Sequence, residues 1–479
     1  MADSRTRRAA AVAVAALVCG VLAGPSAAET LADALVKAWR SSPDLMAGRA
    51  QLRALDEREF QARAERFGTV DAEGSYSYTN RSVAGIGGAS ATGRNLTANR
   101  DDADPLSLGL TGSIPIYTGG RIENRSEAAE RAVLGGREFL VSTEQQVLLD
   151  AVTAYEDVRR DIALVEVARS NVRVISEQLR AARDRFEVGE VTRTDVSQAE
   201  ARLAAARSTL AATTGALARS RQAYLAAVGE PPEDLQPPPP LPELPATEAE
   251  AIALADARHP DLQRARLEVE RAEANVKVAI SGLLPQVSLG ADATYTDSTL
   301  FMDGRDNEGV DTRIGLNGRV PLWTAGRNPS AVREAQARVA EAQADVHAVA
   351  RTIRRNVSNA WSGLQVARAS IVAAREQIRA AQLAFDGVRE EATLGARTTL
   401  DVLDADQELQ RARADLIQAL RDEYVAGYSL LSAVGSLTAE HLGLAVEAYD
   451  PDDYPNEVAR SPYEYPRDGT TEWSTRWRP

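Results

Sequence analysis

The chain has 479 residues, a formal net charge of −14 and a single cysteine. An acidic chain of this kind lacks the basic surface with which proteins hold nucleic acid, so nucleic-acid partners are excluded. Three arginines precede residues 9–23, an apolar run of about 15 residues that is too short to cross a bilayer comfortably. Small residues follow, so residues 1–28 are predicted to be a signal peptide, with Glu29 beginning the exported chain. Cys19 lies within that segment, so the exported chain is expected to contain no disulfide.

Three motifs from the first half of the chain recur in the second half. They pair residues 42–45 with 259–262, 115–121 with 321–327, and 187–196 with 393–402. The offsets are 217, 206 and 206 residues. A repeat with one period predicts two similar structural units, at 29–230 and 246–440. A proline-rich linker at 231–245 joins them, and the C-terminal segment 441–479 is expected to be periplasmic and partly disordered.

Long helices are predicted in both halves. Residues 122–186 contain no proline, and apolar or small residues recur from Val147 to Phe186 at a mean spacing near 3.5. This spacing is typical of helices that pack with a left-handed supercoil. Shorter helices are predicted at 195–228 and 401–434, each after a glycine-containing turn, so each half should form an antiparallel helical hairpin.

Two segments in each half alternate apolar and polar residues with a period of two. They are residues 70–78, 106–114, 287–295 and 314–322. Strands of about 10 residues with one apolar face are typical of outer-membrane barrels. The polar connections at 79–104 and 296–307 are predicted to be surface loops. Four strands cannot close a barrel, and open sheet edges are not tolerated in lipid, so two or three chains must share one barrel.

The order of these features resembles that of the TolC-type outer membrane efflux proteins over residues 29–445. The most specific motifs are LGARTTLDVLDA at 394–405 and the strand-to-helix junctions at Pro115 and Pro321. The resemblance implies an α+β membrane protein. In it, a homotrimer shares a twelve-stranded transmembrane β-barrel, four strands per chain, continued by a long antiparallel α-helical barrel in the periplasm.

The resemblance also implies a function and partners. The chain would be the outer-membrane exit duct of a tripartite efflux or type I secretion system, passively conducting substrates from an inner-membrane transporter. A periplasmic adaptor protein would connect the two. The competing hypothesis is a periplasmic coiled-coil structural or adhesin-like protein without a channel. The alternating strands favour the channel, because a coiled-coil protein needs no lipid-facing sheet.

The second helical tip carries two candidate pore residues. Asp401 and Asp404 are three residues apart and so share one helix face. In the family this pair lines the narrow periplasmic end of the tunnel, where three chains would form a ring of six carboxylates that favours cations. The local alternative is a helix N-cap at Thr398 with Asp401 as an acidic third residue that complements the helix dipole. Capping explains Asp401 well and Asp404 poorly.

Three further residues match family positions that link neighbouring helices and hold the aperture closed: Arg397, Asp195 and Thr194. The alternative for Arg397 is a solvated turn residue. Ala392 stands where the family often has an aromatic residue, so one link is expected to be absent.

The turns at the two tips are the expected contact with the adaptor. They consist of Val188 and Gly189 in the first tip and Leu394 and Gly395 in the second. A simple helix C-cap explains the glycines equally well, and the two interpretations are compatible.

The sequence offers no catalytic motif. His259, His347 and His441 are scattered without the spacing of metal ligands. We therefore expect no metal, no cofactor and no enzymatic activity.

Overall fold

The computed structural model describes residues 29–84, 98–103, 106–300, 305–447 and 449–460. The predicted signal peptide and residues 461–479 lie outside this part of the chain. The described residues divide into two compact units. The strand unit comprises residues 52–136 and 264–346, and the helical unit comprises the other described residues.

The helices come in the same order and with the same lengths in the two halves. The first half contains α1 (Leu31–Ser41), α2 (Pro43–Ala64), α3 (Arg121–Glu187) and α4 (Arg193–Val228). The second contains α5 (Glu248–Arg258), α6 (Pro260–Ser281), α7 (Arg327–Thr393) and α8 (Thr399–Val434), followed by α9 (Asp453–Arg460). The four lengths are 11, 22, 67 and 36 residues in each half. The predicted long helices are confirmed to within a few residues at each end.

None of the helices in the described residues is both long enough and apolar enough to cross a membrane.

The core of the helical unit forms around one face of α3. Five side chains on this face are fully buried: Leu148, Ala151, Val152, Tyr155 and Val158. They pack with residues of α1, α4 and α8. Their spacing of three or four residues places them on one stripe of the helix. Ala151, Tyr155 and Val158 belong to the seam predicted from the sequence, and the structure adds Leu148 and Val152 to it.

The proline-rich linker is fixed to this core through Glu29. The Glu29 amide donates to the Asp234 carbonyl at 2.9 Å, and the Gln236 amide donates to the Glu29 carbonyl at 2.9 Å. The Tyr155 hydroxyl lies 2.7 Å from the Gln236 carbonyl and 3.1 Å from that of Glu29. The Lys37 ammonium donates to the Glu29 carboxylate at 3.0 Å. Polar backbone groups beside the core are thereby paired, as burial requires.

The described part of the C-terminal segment also packs on the helical unit. Leu442, Leu444 and Val446 contact the core cluster. The Arg49 guanidinium lies 4.4 Å from the ring centre of Trp39 and 5.2 Å from that of Tyr449. This cation–π arrangement holds Tyr449 of the segment against the first two helices.

The strand unit contains an antiparallel sheet. Its strands are β1 (Thr69–Tyr76), β2 (Thr79–Ala84), β3 (Ala98–Ala103), β4 (Leu106–Tyr117), β5 (Gln286–Leu300) and β6 (Arg305–Arg319). The main ladder runs β1-β4-β5-β6, with every neighbouring pair antiparallel. The strands β2 and β3 pair with each other, and β3 meets β5 only at Ala103 and Leu300.

The predicted loops are shorter than the sequence suggested. Within 79–104, β2 and β3 form a hairpin, and within 296–307 the described residues extend β5 and β6. The prediction was wrong because it relied on Asn, Asp and Ser, which are rare in strands, although antiparallel pairing needs only backbone partners. Tyr78, Val320 and Leu322 were also wrongly assigned to strands, because β1 ends at Tyr76 and β6 at Arg319. β6 ends at Arg319, just before Pro321, which has no amide hydrogen for a ladder bond.

The register places the four predicted apolar faces on one face of the sheet. One row joins Val70, Gly112, Ala291 and Ile314, the next joins Ala72, Leu110, Ala293 and Thr312, and a third joins Gly74, Leu108, Tyr295 and Val310. The intervening rows carry the charged residues Asp71, Glu73, Asp292, Asp311 and Arg313 on the opposite face. The sheet is therefore apolar on one side and polar on the other.

Truncating the α3 core should destabilise the protein. Leu148→Ala should cost about 2–5 kcal/mol, because a fully buried leucine leaves a cavity. Guanidinium unfolding followed by circular dichroism measures the change as a lower midpoint. The matched control is Leu394→Ala at a tip, where the side chain is 85% exposed and the midpoint should hardly move. Equal midpoints for the two variants would contradict the assignment of this core.

Candidate functional site

The two helical tips of the helical unit have the same backbone design. Gly189 has a φ of 83° and Gly395 a φ of 79°, the left-handed region that favours glycine. The amides of these glycines donate to Phe186 and Ala392, which closes the last turns of α3 and α7. A β-carbon on either glycine would meet no atom within 4 Å. Backbone conformation, and not crowding, therefore requires glycine at both turns.

The residues beside these glycines are exposed. Val188 is 72% and Leu394 is 85% accessible in the chain. Both tips thus present a large apolar side chain to the surroundings, next to a rigid turn.

The helix after each turn begins with a capping box. At α8, the Thr398 amide donates to the Asp401 carboxylate at 2.9 Å, and the Asp401 amide lies 3.3 Å from the Thr398 hydroxyl. Thr192 and Asp195 make the same exchange at α4, with distances of 2.8 and 3.4 Å. The hydrogen bond from the Thr398 amide lowers the pKa of Asp401, with smaller help from the threonine hydroxyl. Asp401 and Asp195 therefore serve as helix caps within the chain.

Asp404 has a different partner from Asp401. Its carboxylate accepts a hydrogen bond from the Arg202 guanidinium of α4 at 2.6 Å. The same guanidinium donates to the Gln407 side chain at 2.6 Å. Sequence reasoning missed Arg202, because it lies in no motif and approaches α8 only through the packing of the two hairpins.

Arg397 is held within its own tip. Its guanidinium donates to Glu391 at 2.9 Å, and both side chains are about half exposed. Thr194 is exposed beside the cap of α4. Within the chain, Arg397 thus binds Glu391, and the links between neighbouring chains stay a prediction.

His259 has a structural role at the end of α5. Its ring is buried, and its Nδ1 accepts a hydrogen bond from the Asp261 amide at 3.2 Å. Burial lowers the pKa of this imidazole, so it is neutral at neutral pH. In the described residues, no three His, Cys, Asp or Glu side chains are grouped to hold a metal ion.

Long helical hairpins, a sheet with one apolar face and exposed capped tips together define an outer-membrane channel protein. The family model described as "Outer membrane efflux protein" matches residues 34–230 and 251–436. The chain therefore belongs to the outer membrane efflux protein family, and the predicted family, outer-membrane location and efflux or secretion channel function are confirmed.

Known relatives agree over nearly the whole chain. The outer membrane efflux protein BepC of Brucella suis is 37% identical over 445 residues, which cover 92% of this chain and 94% of that protein. The outer membrane protein TolC of Vibrio cholerae is 25% identical over 436 residues, covering 88% and 94%. The crystal structure of the Campylobacter jejuni CmeC outer membrane channel has the same fold, with a TM-score of 0.74 at 16% identity over 90% of this chain and 89% of that one.

Removing a capping threonine should loosen only the helix that it caps. Thr398→Ala should increase amide hydrogen exchange in the first turn of α8 on the order of fivefold. Thr192→Ala should do the same for α4, so each variant is the control for the other. Hydrogen–deuterium exchange with mass spectrometry measures both, and an equal response of the two helices would contradict local capping.

The pH dependence of the α8 cap follows from the direction in which the pKa of Asp401 is shifted. The pKa of Asp401 is lower in the folded than in the unfolded state. The protection of the first turn against exchange is therefore complete above the unfolded-state pKa and is lost as the pH falls through the folded-state pKa. Exchange in the first turn of α8, corrected for its intrinsic pH dependence, should therefore stay constant through the neutral range.

Proposed function

We propose that three copies of the chain form a passive exit duct that spans the outer membrane and extends into the periplasm. Each copy contributes four strands to a twelve-stranded barrel and its long helices to a tunnel. A periplasmic adaptor and an inner-membrane transporter complete a tripartite efflux or type I secretion system. The observation that carries this proposal is the two-faced sheet of the strand unit.

The directions of the strands suit closure by identical copies. Since each neighbour in β1-β4-β5-β6 is antiparallel, β1 and β6 run in opposite directions. β6 of one copy beside β1 of the next would therefore continue the antiparallel pattern without interruption. Such closure removes the open edges that lipid does not tolerate.

The apolar face suits lipid. Its large side chains are exposed in the single chain, with Leu108 at 50% and Leu316 at 68%. A soluble sheet rarely leaves such a patch uncovered. A coiled-coil structural or adhesin-like protein would have no use for this face, so the channel is the better explanation.

The equal lengths of the helices support the proposed duplication. We infer two repeats, at 29–230 and 246–440, joined by the linker at 231–245. The matching 11, 22, 67 and 36-residue helices in each half are what a duplicated gene segment would produce.

A charge on the apolar face should prevent assembly. Leu108→Arg near the membrane midplane should cost about 2–4 kcal/mol and reduce the trimer recovered from outer membranes. Native mass spectrometry of detergent-extracted protein measures the trimer directly. The control is Thr111→Arg in the same strand, whose side chain lies on the polar face. A wild-type monomer would overturn the proposed trimer, and equal yields of both variants would overturn the lipid-facing assignment.

The tips supply the proposed aperture and the proposed adaptor contacts. Asp401 and Asp404 of three chains would form the carboxylate ring, while Arg397, Thr194 and Asp195 would link neighbouring helices. The exposed turns with Val188 and Leu394 would meet the adaptor. Capping and pore lining are compatible for Asp401, because the cap uses Oδ2 and leaves its other carboxylate oxygen available.

The ring can be tested without removing the cap. The double variant Asp401→Asn with Asp404→Asn keeps an oxygen acceptor for the Thr398 amide but removes the negative charge. Single-channel recording should show loss of cation preference and of block by trivalent cations added from the periplasmic side. Asp184→Asn, an exposed aspartate of α3, is the control and should behave as wild type. Unchanged selectivity in the double variant would leave the two aspartates with structural roles only.

A further inference from the structure

Arg202 joins the two helical hairpins beside the proposed aperture. Its guanidinium uses two nitrogen atoms, one on the Asp404 carboxylate and one on the Gln407 amide oxygen, each at 2.6 Å. Asp404 and Gln407 are three residues apart on α8, so they face α4 together. The planar guanidinium presents its N–H donors in a fixed fork, so Arg202 can bind both acceptors at once.

An apolar contact lies directly beside this pair. The Leu403 side chain is buried against the first hairpin. Its neighbours come from α3 and α4: Ile175, Leu179, Ala199, Leu203 and Ala206. At this position, Leu403 packs α8 against the first hairpin, which α3 and α4 form. The hydrogen bonds of Arg202 hold the following residues of α8, Asp404 and Gln407, on the same surface.

The pair also sets the charge near the aperture. In the chain, the half-exposed Asp404 is hydrogen-bonded to a guanidinium, whereas Asp401 is hydrogen-bonded to the amide and hydroxyl of Thr398 and interacts with Arg397 only through its charge. In the proposed trimer, three guanidinium groups would offset three of the six carboxylates. The net negative charge of the proposed ring is therefore smaller than the number of its aspartates suggests.

The pairing is not a consequence of the repeat. At the offset of 206 residues, Asp404 corresponds to Gln198 and Arg202 corresponds to Glu408. The corresponding residues carry no opposite charges and cannot form a second pair. The ion pair between Arg202 and Asp404 therefore has no counterpart at the positions related to it by the repeat, Glu408 and Gln198.

We propose that Arg202 is a positioning residue of the aperture, which holds α8 against the first hairpin in the closed state and masks the charge of Asp404. This inference rests on the proposed exit-duct function. When α8 moves away from α4, the pair breaks and Asp404 is unmasked, so opening would increase both the width of the pore and its negative charge.

The expected effect on opening follows from the exposure of the pair. A part-exposed ion pair shifts an equilibrium by about 1.5- to 5-fold. If the three chains open together, the three contributions multiply, to about 3- to 125-fold. Arg421, which pairs with Asp157 of α3 at 2.8 Å, still ties α8 to the first hairpin, so loss of Arg202 should not prevent folding.

The test compares two arginine variants in planar bilayers. Arg202→Gln should open more often or conduct more, and trivalent cations added from the periplasmic side should block it more strongly than wild type. Arg183→Gln is the matched control. Like Arg202, Arg183 pairs with a carboxylate at 2.6 Å. Its partner is Glu200 of α4, so this pair lies within the first hairpin and does not reach α8. The control should behave as wild type.

A charge exchange separates the pair from general disturbance. Arg202→Asp with Asp404→Arg should restore low conductance, while each single change should not. Recovery of each variant as assembled protein is checked by native mass spectrometry.

The outcomes distinguish the two proposals. A wild-type protein that forms no channel would overturn the exit duct and this inference with it. A wild-type channel with an Arg202→Gln variant that opens and blocks as wild type would overturn the role of Arg202 alone. Increased opening without stronger trivalent block would support the positioning role and overturn the charge masking.

Discussion

Burial of one face of α3 is the interaction on which the helical unit depends. Leu148, Val152 and Tyr155 supply the volume of the core, while alanine at position 151 lets a neighbouring backbone approach closely. The Tyr155 hydroxyl simultaneously lies within hydrogen-bonding distance of two carbonyl groups, those of Glu29 and of the linker residue Gln236. One side chain therefore connects the apolar core to two backbone carbonyl groups, of which that of Glu29 also accepts from the Gln236 amide. The linker between the halves is fixed to the core by these bonds.

The strand unit meets the opposite requirement. Its large apolar side chains on one face are exposed, and its edge strands β1 and β6 have one neighbour each in the main ladder of described residues. In water, such a sheet would aggregate through its face and its edges. Lipid against the face and identical copies against the edges satisfy both requirements at once. The outer-membrane location and the proposed closed assembly thus both follow from the properties of the same sheet.

Periodic features of this fold were predictable from the sequence. The spacing near 3.5 located α3 between 122 and 186, against observed bounds of Arg121–Glu187. The period of two placed Leu108 and Tyr295 on the same sheet face, where the register joins them. The Thr398 cap was also predictable, because its two partners lie three residues apart in sequence. These features depend on local spacing, which a single sequence records.

Features that depend on packing or on backbone pairing were not predictable. The hairpin of β2 and β3 has the composition of a loop, although its two strands pair through the backbone. The contact of Arg202 with Asp404 joins residues 202 positions apart, and neither lies in a pattern that points to the other. Only the three-dimensional packing of α4 on α8 brings them together.

The two tips show how similar hairpins can acquire different roles. Their glycine turns and capping boxes are the same, because the ends of long helices impose the same backbone needs on both. The difference begins one turn further along. Leu403 and Asp404 of α8 correspond, at the offset of 206 residues, to Ser197 and Gln198 of α4. The second hairpin thus carries the apolar side chain that inserts and the carboxylate that pairs, and the first hairpin provides the surface that receives them. Since the contact at this position is made by few side chains, the proposed opening needs only the first turns of α8 to leave α4, while Tyr428 and Leu431, farther along α8, stay in the α3 core.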